Sequence, residues 1–384
     1  MHVRTRTFKP TLLCLALASG AAMADEGITY KVSGYGTLAA TVIDKGDLQM
    51  RSSLSQSKGA NKTLDLGVDS RFGLQGVVNF GQGWSATGQL LAIRRRTDST
   101  LTSNKDFDIG IEWLFGQYSV TPNLDLRLGR VVLPAFMISD SRNVGYSQPW
   151  LRAPLEVYGR MPLTTMDGVQ AVWRIPVGNA MISVQPSYGK AHTNISSGSV
   201  VIDSPSDWVA SLSAQVEWSD WLLRAGQVRN NLPFSAPLLG PSPAPVVSYT
   251  MKDKFNNVGL QYDNGTAIFM TEWASRDQND IPASIPFLGG APLTKENMWY
   301  AAAGWRFGKW LPMISYGSFK NTAPSSPNKW DSTNLSVRYD AATNVAVKAQ
   351  IGMHKAKDSS TFVTANGTDP RNVTSLSVGV DFVF

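Results

Sequence analysis

Ser375-Leu-Ser-Val-Gly-Val-Asp-Phe-Val-Phe384 closes the chain. Leu376, Val378, Val380, Phe382 and Phe384 share one phase, while Ser375, Ser377, Gly379 and Asp381 share the other. A period of two belongs to a β-strand, whose successive side chains point to opposite faces. Large apolar groups opposite small polar ones describe a strand with lipid on one face and water on the other. The edge strand of a soluble sheet alternates in the same way, so the rest of the chain has to separate the two.

At the other end, Arg4, Arg6 and Lys9 precede the apolar run Leu12-Leu-Cys-Leu-Ala-Leu-Ala, and Ala22-Met-Ala24 offers a small-x-small cleavage pattern before Asp25. Residues 1–24 therefore read as a secretory signal peptide. Its apolar core is too short to span a bilayer. Cys14 follows Leu12-Leu13 rather than a small residue, which argues against lipid anchoring there. Processing leaves 360 residues without cysteine, so neither disulfides nor thiol chemistry are expected. The mature chain carries 32 basic and 29 acidic residues, a net charge of +3. So small an excess, without a long basic run, gives no footprint for nucleic acid. No mature apolar run approaches 18 residues, which excludes helical spans and leaves a soluble β protein or a membrane barrel.

Alternating segments continue along residues 25–384, which read as one domain. Their connections alternate between short Gly, Asn or Asp turns and long polar or Pro-rich loops. Strands are expected over Ile28–Asp44, Thr63–Phe80, Trp84–Arg95, Phe107–Ser119, Leu124–Leu133, Asp167–Val177, Met181–Lys190, Asp207–Glu217 and Trp221–Arg229. After a Pro-rich loop through Ser248 come Phe255–Asp263, Thr266–Arg276, Met298–Phe307, Trp310–Lys320, Trp330–Asp340, Asn344–Lys355 and Val373–Phe384. About 16 strands result, an even number as in single-chain membrane barrels. The stretch 134–166 is too long to be a simple connection and points to a functional or lid role. A propeller would repeat a blade motif, and none is visible.

Trp84, Trp113, Trp173, Trp208, Trp218, Trp221, Trp273, Trp299, Trp305 and Trp310 fall on the apolar phase or at strand ends, where amphipathic rings favour the headgroup boundary. The opposite phase collects Lys31, Asp69, Arg71, Glu112, Arg127, Arg174, Glu217, Glu272, Arg306, Arg338 and Lys348. Charges in such numbers cannot all be buried without partners, so that phase is expected to face water. The expected fold is all-β: a transmembrane antiparallel β-barrel of about 16 strands around an aqueous channel.

Four features resemble the general Gram-negative porins, the trimeric outer-membrane diffusion channels. They are Val32-Ser-Gly-Tyr-Gly-Thr-Leu in the first strand, Asp69-Ser-Arg-Phe-Gly-Leu-Gln-Gly76 in the second, the segment opening with Pro134-Ala-Phe-Met-Ile-Ser-Asp140, and the terminal Phe384. The resemblance implies that residues 134–166 fold inward as a third-loop constriction, facing a basic cluster on the wall. By position that cluster maps to Lys31, Arg71, Arg94 or Arg95, Arg127 or Arg130, and Arg174. The segment departs from the family in carrying Ala135 where an acidic residue is usual, and its charges are Asp140 and Glu156 against Arg142, Arg152 and Arg160. Opposed charges across a narrow gap orient dipolar solutes, and the basic excess predicts a weak preference for anions. Tyr146, Trp150 and Tyr158 are read either as a sugar path or as packing against the wall. The strand phases imply contact with outer-membrane lipids, and the short turns, which face the periplasm in such barrels, put both termini there; the resemblance implies a homotrimer and Phe384 read by the assembly machinery. The partners are small hydrophilic solutes and ions; no cofactor is expected.

A substrate-selective channel is the near alternative, and a barrel-embedded enzyme the distant one. An enzyme needs a nucleophile with a base or paired carboxylates. His192, in an expected loop, and His354, near the outer end of a strand, both read as solvated surface residues. No Gly-x-Ser-x-Gly elbow or His-Glu-x-x-His helix is present. A TonB-dependent receptor would need an N-terminal plug and a longer chain.

Overall fold

A computed structural model of the chain describes residues 27–56, 58–95, 107–161, 163–197, 200–237, 246–278, 295–322, 328–356, 363–364 and 372–384. The expected signal peptide and the expected polar loop 97–106 lie outside the described residues. Sixteen strands form one closed antiparallel barrel. They are β1 (Thr29–Ile43), β2 (Arg71–Gly81), β3 (Trp84–Ile93), β4 (Asp108–Thr121), β5 (Leu124–Val132), β6 (Thr165–Val177), β7 (Ala180–Lys190) and β8 (Trp208–Trp218). The second half comprises β9 (Trp221–Pro237), β10 (Val246–Asp263), β11 (Ala267–Gln278), β12 (Lys295–Trp305), β13 (Trp310–Asn321), β14 (Asn328–Ala342), β15 (Val345–Ala356) and β16 (Val373–Val383). Each even strand enters a short turn and each odd strand a longer connection, so the start of β1 and the end of β16 lie at the short-turn rim.

The terminal strand closes the circle against β1, from Tyr35 opposite Val383 to Ile43 opposite Ser375. Its phase is as read: Leu376 and Val378 are each 48% exposed, whereas Ser375, Ser377 and Asp381 are buried. Beyond the strand, Gly34 and Phe384 exchange two backbone hydrogen bonds of 2.9 Å. The Phe384 ring lies where a side chain at Gly34 would stand, and it stacks on Phe72 at 6.1 Å. The glycine of the first-strand motif is thus a seat for the last residue. Any Cβ there would displace the ring.

Three regions depart from the sequence reading. The second strand starts at Arg71, eight residues after Thr63. Asp65 accepts the backbone N–H groups of Gly67 and Val68 at 2.8 and 2.9 Å, and such local bonding competes with a ladder. The expected Pro-rich loop is partly strand, because β9 runs to Pro237 and pairs it with Val246. Beyond Asn231, where β8 ends, β9 has a neighbour on one side only, and edge positions tolerate proline. In β4, a register shift between Gln89 and Leu90 on the partner strand moves Trp113 to the phase of Gln89, away from the expected outward phase. Trp84, Trp173, Trp218, Trp221, Trp273, Trp299, Trp305 and Trp310 are exposed on the outer face as read.

Across β9–β14 the inner phase carries large apolar side chains among its polar ones: Val228, Phe255, Met298, Tyr300, Phe319 and Trp330 are all buried. Alternation fades there because both faces are covered, and the segment joining β5 to β6 supplies the inner cover. Its Leu133, Phe136, Leu155, Val157, Tyr158 and Met161 belong to the same buried cluster. Fully burying each of these larger apolar side chains contributes roughly 1.5–3 kcal/mol.

Candidate functional site

Residues 133–164 between β5 and β6 contain a 3₁₀ turn (Gly145–Ser147) and one short helical turn (Leu155–Tyr158). Their contacts reach most of the way round the barrel. Phe136 meets Phe255 of β10 edge-on at 5.2 Å, and Trp150 meets Tyr300 of β12 at 5.7 Å. The Tyr158 hydroxyl donates to Glu272 of β11, whose other oxygen accepts the Met137 N–H at 3.0 Å. Arg224 of β9 donates to the Pro134 carbonyl at 2.9 Å, and Lys348 of β15 to the Gly145 carbonyl at 2.7 Å.

Three of the five charges expected on this segment are buried anchors. Arg152 pairs with Asp69, donating from Nε at 2.9 Å and again from Nη2, and it reaches Ser377 of β16 at 3.1 Å. Burial alone would raise the Asp69 carboxyl, but Arg152 and the Thr41 hydroxyl hold it below its ordinary value. Arg160 pairs with Glu296 of β12, and its guanidinium covers the Phe319 ring at 4.4 Å. Glu156 is fully buried; it accepts a hydrogen bond from Ser332 of β14, and its Oε2 has no partner. A side chain at Gly317 would occupy its place. Desolvation pushes the Glu156 carboxyl up to about 7. Tyr158 is raised well above its ordinary value by burial and by the Glu272 carboxylate.

The remaining two charges face the opposite wall. Asp140 is exposed and lies close enough to Arg127 of β5 and Arg224 to interact electrostatically with both. Arg142 is half-buried, and its backbone carbonyl accepts from Arg71 of β2 at 3.1 Å. Arg71, Arg127, Arg142 and Arg224 have no carboxylate partner within ion-pair distance among the described residues. Arg127 donates to Gln117 and Gln170 and rests over the Phe115 ring at 5.1 Å.

The other expected wall residues lie elsewhere. Arg94 holds Asp65 with two hydrogen bonds of 2.9 and 2.7 Å, and Arg95 pairs with Asp108 and Glu112. Arg130 pairs with Asp167 and stands opposite Leu114, which is 56% exposed, so it lies on the outward phase. Arg174 pairs with Asp125 beside the short turn at Asn123. Lys31 stands six residues before Thr37 on β1, towards the short-turn rim. Trp150 and Tyr158 are packed into the buried cluster; Tyr146 donates to the Thr343 carbonyl at the turn between β14 and β15. Arg224 was missed because β9 carries it between Leu223 and Ala225 without any motif.

The histidines also depart from expectation. His192 is exposed but begins a strand, His192–Ser197, that pairs with Val200–Pro205. His354 is 4% exposed, stacks against Trp330 at 5.7 Å and has Nε2 3.3 Å from the Ser375 hydroxyl. Its Nδ1 has no hydrogen-bond partner. No group of three His, Cys, Asp or Glu among the described residues could hold a metal.

Residues 11–359 match the family model for the Gram-negative porin. The chain belongs to that porin family. The porin's fold is similar to several solved outer-membrane structures. One is the anion-selective porin from Comamonas acidovorans, 14% identical, with a TM-score of 0.57, covering 93% of this chain and 100% of that one. Another is OmpF of Salmonella typhi in complex with daunomycin, 12% identical, TM-score 0.57, covering 95% and 100%. A third is the trimer form of OmpT, an outer-membrane protein of Vibrio cholerae, 11% identical, TM-score 0.56, covering 94% and 100%. Identities this low carry the fold alone. Comparison with curated protein sequences gives no match.

Proposed function

We propose that this porin is a passive outer-membrane channel for small hydrophilic solutes and ions, weakly anion-preferring, with residues 134–166 as its constriction. The carrying observation is the charge asymmetry of the segment. Its buried charges are absorbed by anchors at Asp69, Glu296 and Ser332, whereas among the described residues Arg71, Arg127, Arg142 and Arg224 lack carboxylate partners within ion-pair distance, and Asp140 is an exposed acid close to Arg127 and Arg224. Unpaired cations beside a water-filled gap raise the local anion concentration and bias permeation without trapping ions. The segment's contacts with β9, β11, β12, β14, β15 and β16 support an inward-folded loop, since only a position inside the wall reaches all of them.

Among the described residues an enzymatic role has one candidate pair, His354 and Ser375. Both are buried, and His354 Nδ1 has no group to orient it, so the pair is read as packing rather than as a nucleophile with its base. The trimer form of the Vibrio cholerae protein supports a homotrimer here. We assign the short-turn rim, and both termini, to the periplasm on the usual polarity of such barrels. Phe384, exposed at that rim and seated at Gly34, is assigned as the residue read by the assembly machinery. The refolded protein in a planar bilayer across a KCl gradient tests the channel: steady current with a reversal potential of anion sign is expected. Marked cation selectivity overturns the preference, and absence of current overturns the channel.

A further inference from the structure

Between the segment and the β2–β6 wall lies a cavity of about 470 Å³. Among the described residues, five arginines and four carboxylates line it, so its charges cannot all be matched in pairs. Arg130 and Asp167, on the outward phase, pair with each other, and Arg95 and Arg152 engage Asp69, Asp108 and Glu112. Arg71 and Arg142 are left. Each makes one hydrogen bond, both to carbonyl oxygens: Arg71 Nη1 to Arg142 at 3.1 Å and Arg142 Nη2 to Tyr158 at 3.5 Å. Most of their donors are uncommitted, and a guanidinium presents those donors in a fork that matches a carboxylate. The remaining lining is mixed, with Leu91, Ile93, Ile138, Trp150, Leu155 and Met161 as its apolar part beside serine, threonine and amide groups.

We propose that Arg71 and Arg142 form a binding subsite for the carboxylate of a small monocarboxylic acid, whose apolar body lies against the adjoining aliphatic and aromatic lining. The subsite deepens the channel reading and rests on it. One charged head fits the single unmatched charge of the cavity, and a second carboxylate would meet Glu112 and Asp108. Burial and the neighbouring Arg71 lower the Arg142 guanidinium from its ordinary value, against the raising effect of Glu112. A bound carboxylate would relieve that repulsion.

Calorimetry on the detergent-solubilised full chain tests the subsite directly, with benzoate as the probe, acetate lacking the apolar body and benzamide lacking the charge. Saturable benzoate binding is expected, at least fivefold tighter than acetate, with no saturable binding of benzamide. Arg142→Gln and Arg71→Gln should each weaken benzoate at least tenfold. Lys309→Gln, which removes a charge at a short turn, should leave it unchanged. Equal binding of benzoate and acetate, or undiminished binding in both arginine variants, overturns the subsite. Single-channel current with and without benzoate separates the two readings. Saturable block supports both; current without calorimetric binding overturns the subsite alone, and binding without current overturns the channel alone.

Discussion

The two walls that face residues 133–164 are built on opposite principles. Across β9–β14 the inner surface is dry: Phe136, Tyr158, Tyr300 and Phe255 pack ring against ring, and the charged groups there are paired or hydrogen-bonded. Across β2–β5 the inner surface carries Arg71 and Arg127 without carboxylate partners, and across the gap stand Asp140 and Arg142. Apolar packing holds the segment against the first wall, while on the second its contacts are polar, Arg152 with Asp69 and the Arg142 carbonyl with Arg71, and among the described residues the Arg71 and Arg127 guanidinium groups there are left without a carboxylate.

The largest effect is expected at the Arg152–Asp69 pair. Asp69→Ala leaves a guanidinium buried without its partner, a change that costs about 3–5 kcal/mol. Thermal unfolding should drop accordingly, and single-channel current should become larger and noisier as the segment loosens. Unchanged melting and unchanged current would show that the pair is not an anchor.

Glu156 tests the dry side through pH. Its carboxyl rises on folding from the ordinary 4.5 to about 7, so the folded protein holds a proton that the unfolded chain releases. The resulting stability is fully present below pH 4.5 and is lost as the pH rises to about 7, a loss on the order of 3 kcal/mol. Glu156→Gln should flatten this dependence and raise the melting temperature at pH 7.5 relative to the parent. Parallel pH–stability curves for the two proteins would remove Glu156 from the account.

The smallest effect on stability is expected on the open side. Arg127→Gln removes a cation that has no carboxylate partner, so stability should stay within about 0.5 kcal/mol. The reversal potential in a KCl gradient should nevertheless move towards cations. A large loss of stability with no change in selectivity would invert the assignment of the two walls.

Much of this was legible in the chain itself, and the limits are instructive. Ser375–Phe384 announced its outward phase because large apolar and small polar side chains alternate along it, and in the barrel the apolar ones are exposed outside and the polar ones buried inside. Across β12 the same logic fails, since Met298 and Tyr300 point inward and Trp299 and Trp305 outward, and all are apolar. The five charges of the segment were visible as residue types. Their division into anchors and solvent-facing groups was not, because Asp69, Glu296 and Ser332 lie far away in sequence and meet them only when the barrel closes. Arg94 and Arg130 likewise had the right charge, and only their partners Asp65 and Asp167 reveal that they are occupied.

By itself, then, the sequence determined the barrel, its strand number and its outward phase, because period-two patterning is local and each strand carries its own copy. Tertiary structure alone decided which arginines remain uncompensated and which wall the segment leaves open. A charge acts according to what lies within a few ångströms of it, and in a closed barrel those neighbours come from positions tens to more than a hundred residues apart.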